Sequence, residues 1–203
     1  MSREIIAILR GVQPDEVLEI GRALVDAGID RIEVPLNSPD PLTSIERLAS
    51  GLEGQATVGA GTVLTPEQVT AVHDAGGTII VSPDCNPAVI DRTKALSILS
   101  YPGVATPTEC FTALRHGADG LKFFPAFLIG TKGLSAISAV LPQGTKTYAV
   151  GGVGPDNFSE WFAVGVTGFG LGTGIYKPGF SASDVAERAR AIVAAYDRNA
   201  PAG

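Results

Sequence analysis

The sequence predicts an α/β fold, a single-domain (β/α)8 barrel, and three observations carry that prediction. Short apolar runs alternate with amphipathic stretches from one end of the chain to the other. The repeating unit is roughly 20–27 residues, the size of one strand plus one helix with short connections. Polar residues and glycines collect where the apolar runs end, as the C-terminal face of a barrel requires. A chain of 203 residues holds eight such units with no room for a second domain, so the whole of 1–203 is assigned to one TIM-type barrel.

The strand candidates are Ile5–Arg10, Arg31–Leu36, Ala56–Ala60, Thr78–Val81, Ser97–Tyr101, Gly120–Phe124, Lys146–Val150 and Thr167–Leu171. Each is short and mostly uninterrupted by polar residues, the pattern of parallel strands covered on both faces. Four helix candidates share one design, with proline in the first turn and glycine at the end: Pro14–Gly28, Thr65–Gly76, Thr106–Gly117 and Gly154–Gly165. Thr65 has the position of an N-cap. Pro41–Leu52, Asn86–Ala95, Gly133–Val140 and Ser183–Tyr196 complete the set, and 198–203 reads as a frayed tail.

Composition narrows the function classes. A net charge of −6 and 18% charged residues leave no basic surface for nucleic acid or an anionic membrane. Two cysteines, Cys85 and Cys110, outside any CxxC spacing, give neither a disulfide framework nor a metal signature. Both histidines, His73 and His116, fall late in helices and far from strand ends, which argues against a histidine triad or a zinc site. The start of the chain lacks a signal-peptide layout and no apolar run is long enough to span a membrane, so a cytoplasmic location is expected.

The strand ends supply the chemistry. Lys122 interrupts the apolar run Gly120–Pro125. Burial disfavours an ammonium group, so a lysine there becomes an amine nucleophile able to form a Schiff base with a ketone. The alternative is a stem packed on apolar surface with its head in water. Glu33 stands between Ile32 and Val34, where an apolar mouth would raise its pKa toward that of a general base; the alternative is an ion pair with Arg10 or Lys122. Arg10, closing the first strand, suits bidentate capture of a carboxylate. Thr62 follows glycines that let a ligand approach the backbone, and its hydroxyl could orient that carboxylate. Gly151, Gly152, Gly172 and Thr173 end strands 7 and 8, where barrels commonly cup a phosphate. The pair Phe123–Phe124 reads as core and pocket wall.

Six segments together, 7–11, 32–39, 58–64, 121–125, 149–153 and 170–173, resemble the 2-keto-3-deoxy-6-phosphogluconate/galactonate aldolase family, in order and over nearly the whole chain. The resemblance is to the phosphogalactonate branch. Leu36-Asn37-Ser38 stands where the gluconate branch has Leu-Arg-Thr, and Val150 stands where it has threonine. It implies a class I aldolase with Lys122 attacking the C2 ketone and Glu33 shuttling protons. Arg10 and Thr62 would hold the carboxylate, Val150 would border the hydroxyl-bearing carbons, and Gly151, Gly152, Gly172 and Thr173 would hold the phosphate. The products would be pyruvate and D-glyceraldehyde 3-phosphate, and the resemblance further implies a homotrimer without metal or cofactor. Two segments depart from the family pattern: the apolar Phe127–Ile129 after the lysine strand, and Pro83-Asp-Cys-Asn86 after strand 4. A phosphate-binding synthase or isomerase barrel is the alternative from another class. A catalytically silent sugar-phosphate sensor is a third, against which Lys122, Glu33 and Arg10 weigh.

Overall fold

A computed structural model describes residues 3–201. Its strands are β1 (Ile5–Ile8), β2 (Arg31–Pro35), β3 (Thr57–Gly61), β4 (Ile79–Val81), β5 (Leu99–Tyr101), β6 (Gly103–Val104), β7 (Leu121–Phe123), β8 (Thr147–Val150) and β9 (Gly168–Leu171). Every pairing is parallel, in the order β5-β4-β3-β2-β1-β9-β8-β7-β6. The two ends of that list are one stretch of chain. Pro102, with no N–H to give a ladder, separates β5 from β6, so β5 pairs with β4 and β6 with β7. The Pro102 carbonyl accepts from the Lys122 N–H at 2.9 Å. The barrel thus closes on a kinked fifth strand that continues past Tyr101, where the sequence predicts a single run to end.

Eight helices wrap the described barrel: α1 (Val17–Asp26), α2 (Pro41–Gly51), α3 (Pro66–Asp74), α4 (Pro87–Ala95), α5 (Pro107–Arg115), α6 (Ala126–Ser138), α7 (Phe158–Ala163) and α8 (Ala182–Asn199). Thr65 and Thr106 each close a full capping box with Gln68 and Glu109, which fixes those two starts where the sequence placed them. Four boundaries differ. α1 begins at Val17, with 14–16 forming a lead-in turn in which the Glu16 carboxylate accepts from the Gln13 N–H at 3.1 Å and from the Tyr176 hydroxyl at 2.7 Å. α6 begins at Ala126, not Gly133: its first turn carries Phe127–Ile129, and Gly130, at φ 66° and ψ 166°, kinks the helix before it resumes. α7 is shorter than Gly154–Gly165, since Asn157 folds back onto Gly154 N–H and Gly152 O. Arg198 and Asn199 belong to α8 rather than to a frayed tail, while 202–203 lie outside the described residues. Arg3 makes two bonds to Asp197 (2.6 and 2.7 Å), and Asn199 Nδ2 donates to the Ala195 carbonyl at 2.8 Å, so the last turn is held.

Two apolar clusters result. The larger lies between barrel and helices and includes Leu24, Ile32, Leu48, Phe123, Phe158, Phe169 and Ala189. Phe158 stacks on Phe169 with centroids 4.3 Å apart, which fastens α7 to β9. The smaller cluster fills the barrel itself with Ile6, Ile79, Val81, Tyr101 and Tyr148. Tyr101 and Tyr148 meet edge to face at 5.1 Å. They have room because residue 120 is glycine, where a Cβ would come within 2.8 Å of both rings. Below them the barrel floor is ionic. Glu4 accepts from the Tyr148 hydroxyl at 2.6 Å, from Lys146 at 3.3 Å and from Arg31. The inward-facing layer above the tyrosines opens onto the C-terminal face.

Candidate active site

Strand alternation sends Ile8, Glu33, Val81, Lys122, Val150 and Gly170 to that upper layer, around a tight space of about 10 Å³ shared with Tyr101 and Tyr148. This is room for about one water. Above it opens a cleft of about 430 Å³ bordered by Arg10, Phe124, Val150, Gly151, Gly152, Gly172, Thr173 and Lys177. A larger hollow of about 570 Å³ lies elsewhere, near Glu46, Glu53 and Asp74. Those acids make it unsuited to an anion, and no strand-end cation reaches it.

Lys122 is 7% exposed. Burial holds its ammonium below the ordinary lysine value; Arg10 pushes the same way and Glu33 opposes them. Its Nζ lies 4.8 Å from the centroid of the Phe124 ring, which covers the amine from the mouth. The alternative of a head free in water is not what the chain builds. Phe123 is core, and Phe124 is the wall.

Glu33 is 2% exposed, and its Oε2 has no hydrogen-bond partner. Burial pushes its carboxyl up from 4.5 to about 7, against the pull of Lys122 and Arg10. The predicted alternative, a structural ion pair, is not formed: among the described residues neither cation bonds to it. Gly61 is what lets the carboxyl lie where it does. A Cβ there would sit 1.9 Å from Glu33 Oε2.

Arg10 reaches over the ends of β2 and β3. Its Nη1 donates to Asn37 Oδ1 and its Nη2 to Thr62 Oγ1 at 3.4 Å. Thr62 itself has φ 57°, a left-handed conformation that a β-branched residue adopts at a cost. Gly151 (φ 94°) and Gly152 (φ 74°) turn the chain after β8, and Asn157 Nδ2 holds the Gly152 carbonyl at 3.0 Å. Thr173 is exposed at the rim beside Gly172. Every strand-end residue singled out in the sequence therefore borders the inner space, the cleft or the Arg10 network. Phe127, at the start of α6, is 65% exposed; a Cβ at Gly152 would meet its Cβ at 3.0 Å, so the apolar segment flanks the cleft without closing it.

Sequence reasoning gave no site role to Asn37, noted only within a branch-marking run, and passed over Asn157 and Lys177. All three are loop residues whose role depends on what lies across the mouth; only the basic Lys177 just after Gly172–Gly174 offered a local signal. His73 and His116 pair with Asp74 (3.3 Å) and Asp91 (2.7 Å) on the helical exterior. Cys85 donates to the Glu109 carbonyl at 3.3 Å, and burial raises both thiols, Cys110 to about 11. Such thiols are weak nucleophiles near neutral pH. Among the described residues no cluster of metal-binding side chains occurs, and no helix is long and apolar enough to cross a membrane.

A buried amine and a carboxyl with a raised pKa face one small space, a combination whose chemistry suits Schiff-base formation. Residues 1–190 match the aldolase family described as KDPG and KHG aldolase. The chain belongs to that family. It is 49% identical over 197 residues to the probable 2-dehydro-3-deoxy-6-phosphogalactonate aldolase of Rhizobium meliloti (strain 1021), covering 97% of this chain and 93% of that one. A solved native KDPGal structure superposes with a TM-score of 0.96 at 43% identity, covering 98% and 97% of the two chains. KDPG aldolase from Legionella pneumophila, solved with pyruvate captured as a covalent carbinolamine, superposes with a TM-score of 0.85 at 30% identity and covers 94% of each chain. The protein is thus a carbon–carbon lyase, a class I aldolase of the KDPG/KDPGal type.

Proposed function

We propose that Lys122 is the Schiff-base residue and that the substrate is 2-dehydro-3-deoxy-6-phosphogalactonate, cleaved to pyruvate and D-glyceraldehyde 3-phosphate. The observation that carries this is the pair of buried groups at the barrel mouth, with lysine pushed down and glutamate pushed up toward each other. The neutral Lys122 amine adds to the C2 ketone. Protonated Glu33 gives its proton to the departing carbinolamine hydroxyl, leaving a protonated imine and water. Glu33, now a carboxylate, takes the C4 hydroxyl proton as the C3–C4 bond breaks. Its electrons flow into the imine and the aldehyde leaves. Protonation of the enamine at C3 and hydrolysis then return pyruvate and free Lys122.

Arg10 and Thr62 would receive the carboxylate and the Gly151–Gly152 and Gly172–Thr173 loops the phosphate. The galactonate branch is supported by Arg10 being the cation above Glu33 and by Val150 presenting no hydroxyl at the junction of inner space and cleft. A phosphate-binding synthase of another class would have no use for the buried Lys122–Glu33 pair. A homotrimer is part of the proposal, supported by exposed Phe127, Leu128 and Val140 along and just beyond α6, an apolar strip suited to burial between copies. A cytoplasmic location is supported by two free cysteines.

The test is reduction with borohydride in the presence of pyruvate, followed by mass spectrometry of the peptides. An adduct on Lys122 is expected, and none on Lys122→Ala. An adduct elsewhere, or turnover retained by that variant, defeats the assignment. Paired cleavage assays on the galactonate and gluconate substrates decide the branch, with Val150→Thr expected to raise the gluconate share of kcat/KM.

A further inference from the structure

The ends of β1, β2 and β3 are laced together by side chains. Arg10 donates to Asn37 Oδ1 and to Thr62 Oγ1, and the next residue, Gly11, donates its N–H to Ser38 Oγ at 2.9 Å. Ser38 is itself turned back by a bond from its N–H to the Pro35 carbonyl at 2.9 Å, which fixes Asn37 over the mouth. Both side chains that accept from Arg10 are neutral. No carboxylate among the described residues forms an ion pair with it, although the chain carries 21 acids. A guanidinium has five N–H donors. One bond from each Nη anchors it and leaves the remaining donors, with the full positive charge, for a ligand.

An aspartate at position 37 would accept the same bond from nearly the same place, yet it would neutralise the cation that an incoming anion needs. An asparagine gives the geometry without the charge. We propose that Asn37 is the positioning residue of this site: it aims Arg10 while leaving its charge uncompensated, and so sets the affinity for the carboxylate of an α-keto acid. This rests on the Schiff-base reading above and extends it to a residue that touches no reacting atom.

The test uses borohydride trapping on Lys122 with two small ketones, pyruvate and its neutral ester methyl pyruvate, in wild type, Asn37→Ala and Asn37→Asp. Pyruvate half-saturation is expected to rise about threefold in Asn37→Ala, where the guanidinium loses one anchor. A rise of about tenfold or more is expected in Asn37→Asp, where the charge is taken up. Methyl pyruvate, with no carboxylate charge, is expected to shift less than about twofold in either variant. Cleavage of the sugar acid at saturation should keep a kcat within about threefold of wild type while KM rises, the split expected of lost ground-state binding. Asp no worse than Ala, or the ester shifting in parallel with pyruvate, overturns the proposal. Wild type that traps neither ketone would instead overturn the Schiff-base reading. Asn37 is exposed and aspartate has its shape, and the Ala variant alone still decides the matter through its pyruvate-to-ester ratio.

Discussion

Glu33 ties the stability of this barrel to pH in a direction opposite to that of most carboxylates. Its folded value of about 7 lies above the ordinary 4.5, so the folded chain holds a proton on Glu33 that the unfolded chain has lost. Between those two values stability falls as pH rises, because the folded state must either keep the proton or bury a charge. At about 1.4 kcal/mol per tenfold change in proton affinity, the gap corresponds to about 3 kcal/mol. Glu33→Gln is neutral at every pH and lacks that slope. The assay is urea unfolding of both proteins at fixed protein concentration across the range from about pH 4 to pH 8, with m-values compared to confirm the same transition. Wild-type stability relative to the variant should fall by about 3 kcal/mol over that range. A common offset does not matter, since only the change with pH is read. The same pair in a Lys122→Met background removes the neighbouring lysine's own titration. Curves that run parallel, within about 1 kcal/mol, would show that Glu33 is not held protonated by burial.

Gly61→Ala would place a methyl group 1.9 Å from Glu33 Oε2, and the carboxyl must leave its place. Turnover is expected to fall by a factor of about 100 or more, the scale of a lost general acid–base group, while circular dichroism stays unchanged; activity within a few-fold of wild type would refute the role of Glu33. Lys177 lines the cleft beside Gly172–Gly174 and forms no ion pair among the described residues. Lys177→Ala should raise KM for the phosphorylated sugar acid about five- to tenfold and leave an unphosphorylated keto-deoxy acid untouched; equal shifts for both would exclude a phosphate role.

Much of this was legible in the chain because parallel barrels impose simple patterns. Strands buried on both faces read as bare apolar runs, and Lys122 and Glu33 were conspicuous as the charges placed inside them. The capping boxes at Thr65 and Thr106 marked their helices through local chemistry alone. What escaped lacked a local signature. The first turn of α6 starts at Pro125–Ala126 with no side-chain cap, so nothing announced it. Glu16 holds the Gln13 N–H as a first-turn acid would, but its second partner, Tyr176, lies 160 residues away. Asn37 stood out only as part of the Leu36-Asn37-Ser38 difference between branches, and its partnership with Arg10 emerged once the barrel brought the two together. That Thr62 carries its hydroxyl on a left-handed backbone follows from the loop that packs around it, which no sequence window contains.

The bonded side chains of Glu4, Arg31, Lys146 and Tyr148 plug the lower end of the barrel, so the cleft opens at the other end. On the reading proposed above, substrate and both products would pass through that mouth, past Phe124 and Arg10. Water expelled as the imine forms would find the one-molecule space beneath it or the mouth itself. Under that proposal the order of events would be constrained by traffic as well as by chemistry: the aldehyde, nearest the rim, would depart before fresh water reaches the imine and frees pyruvate behind it.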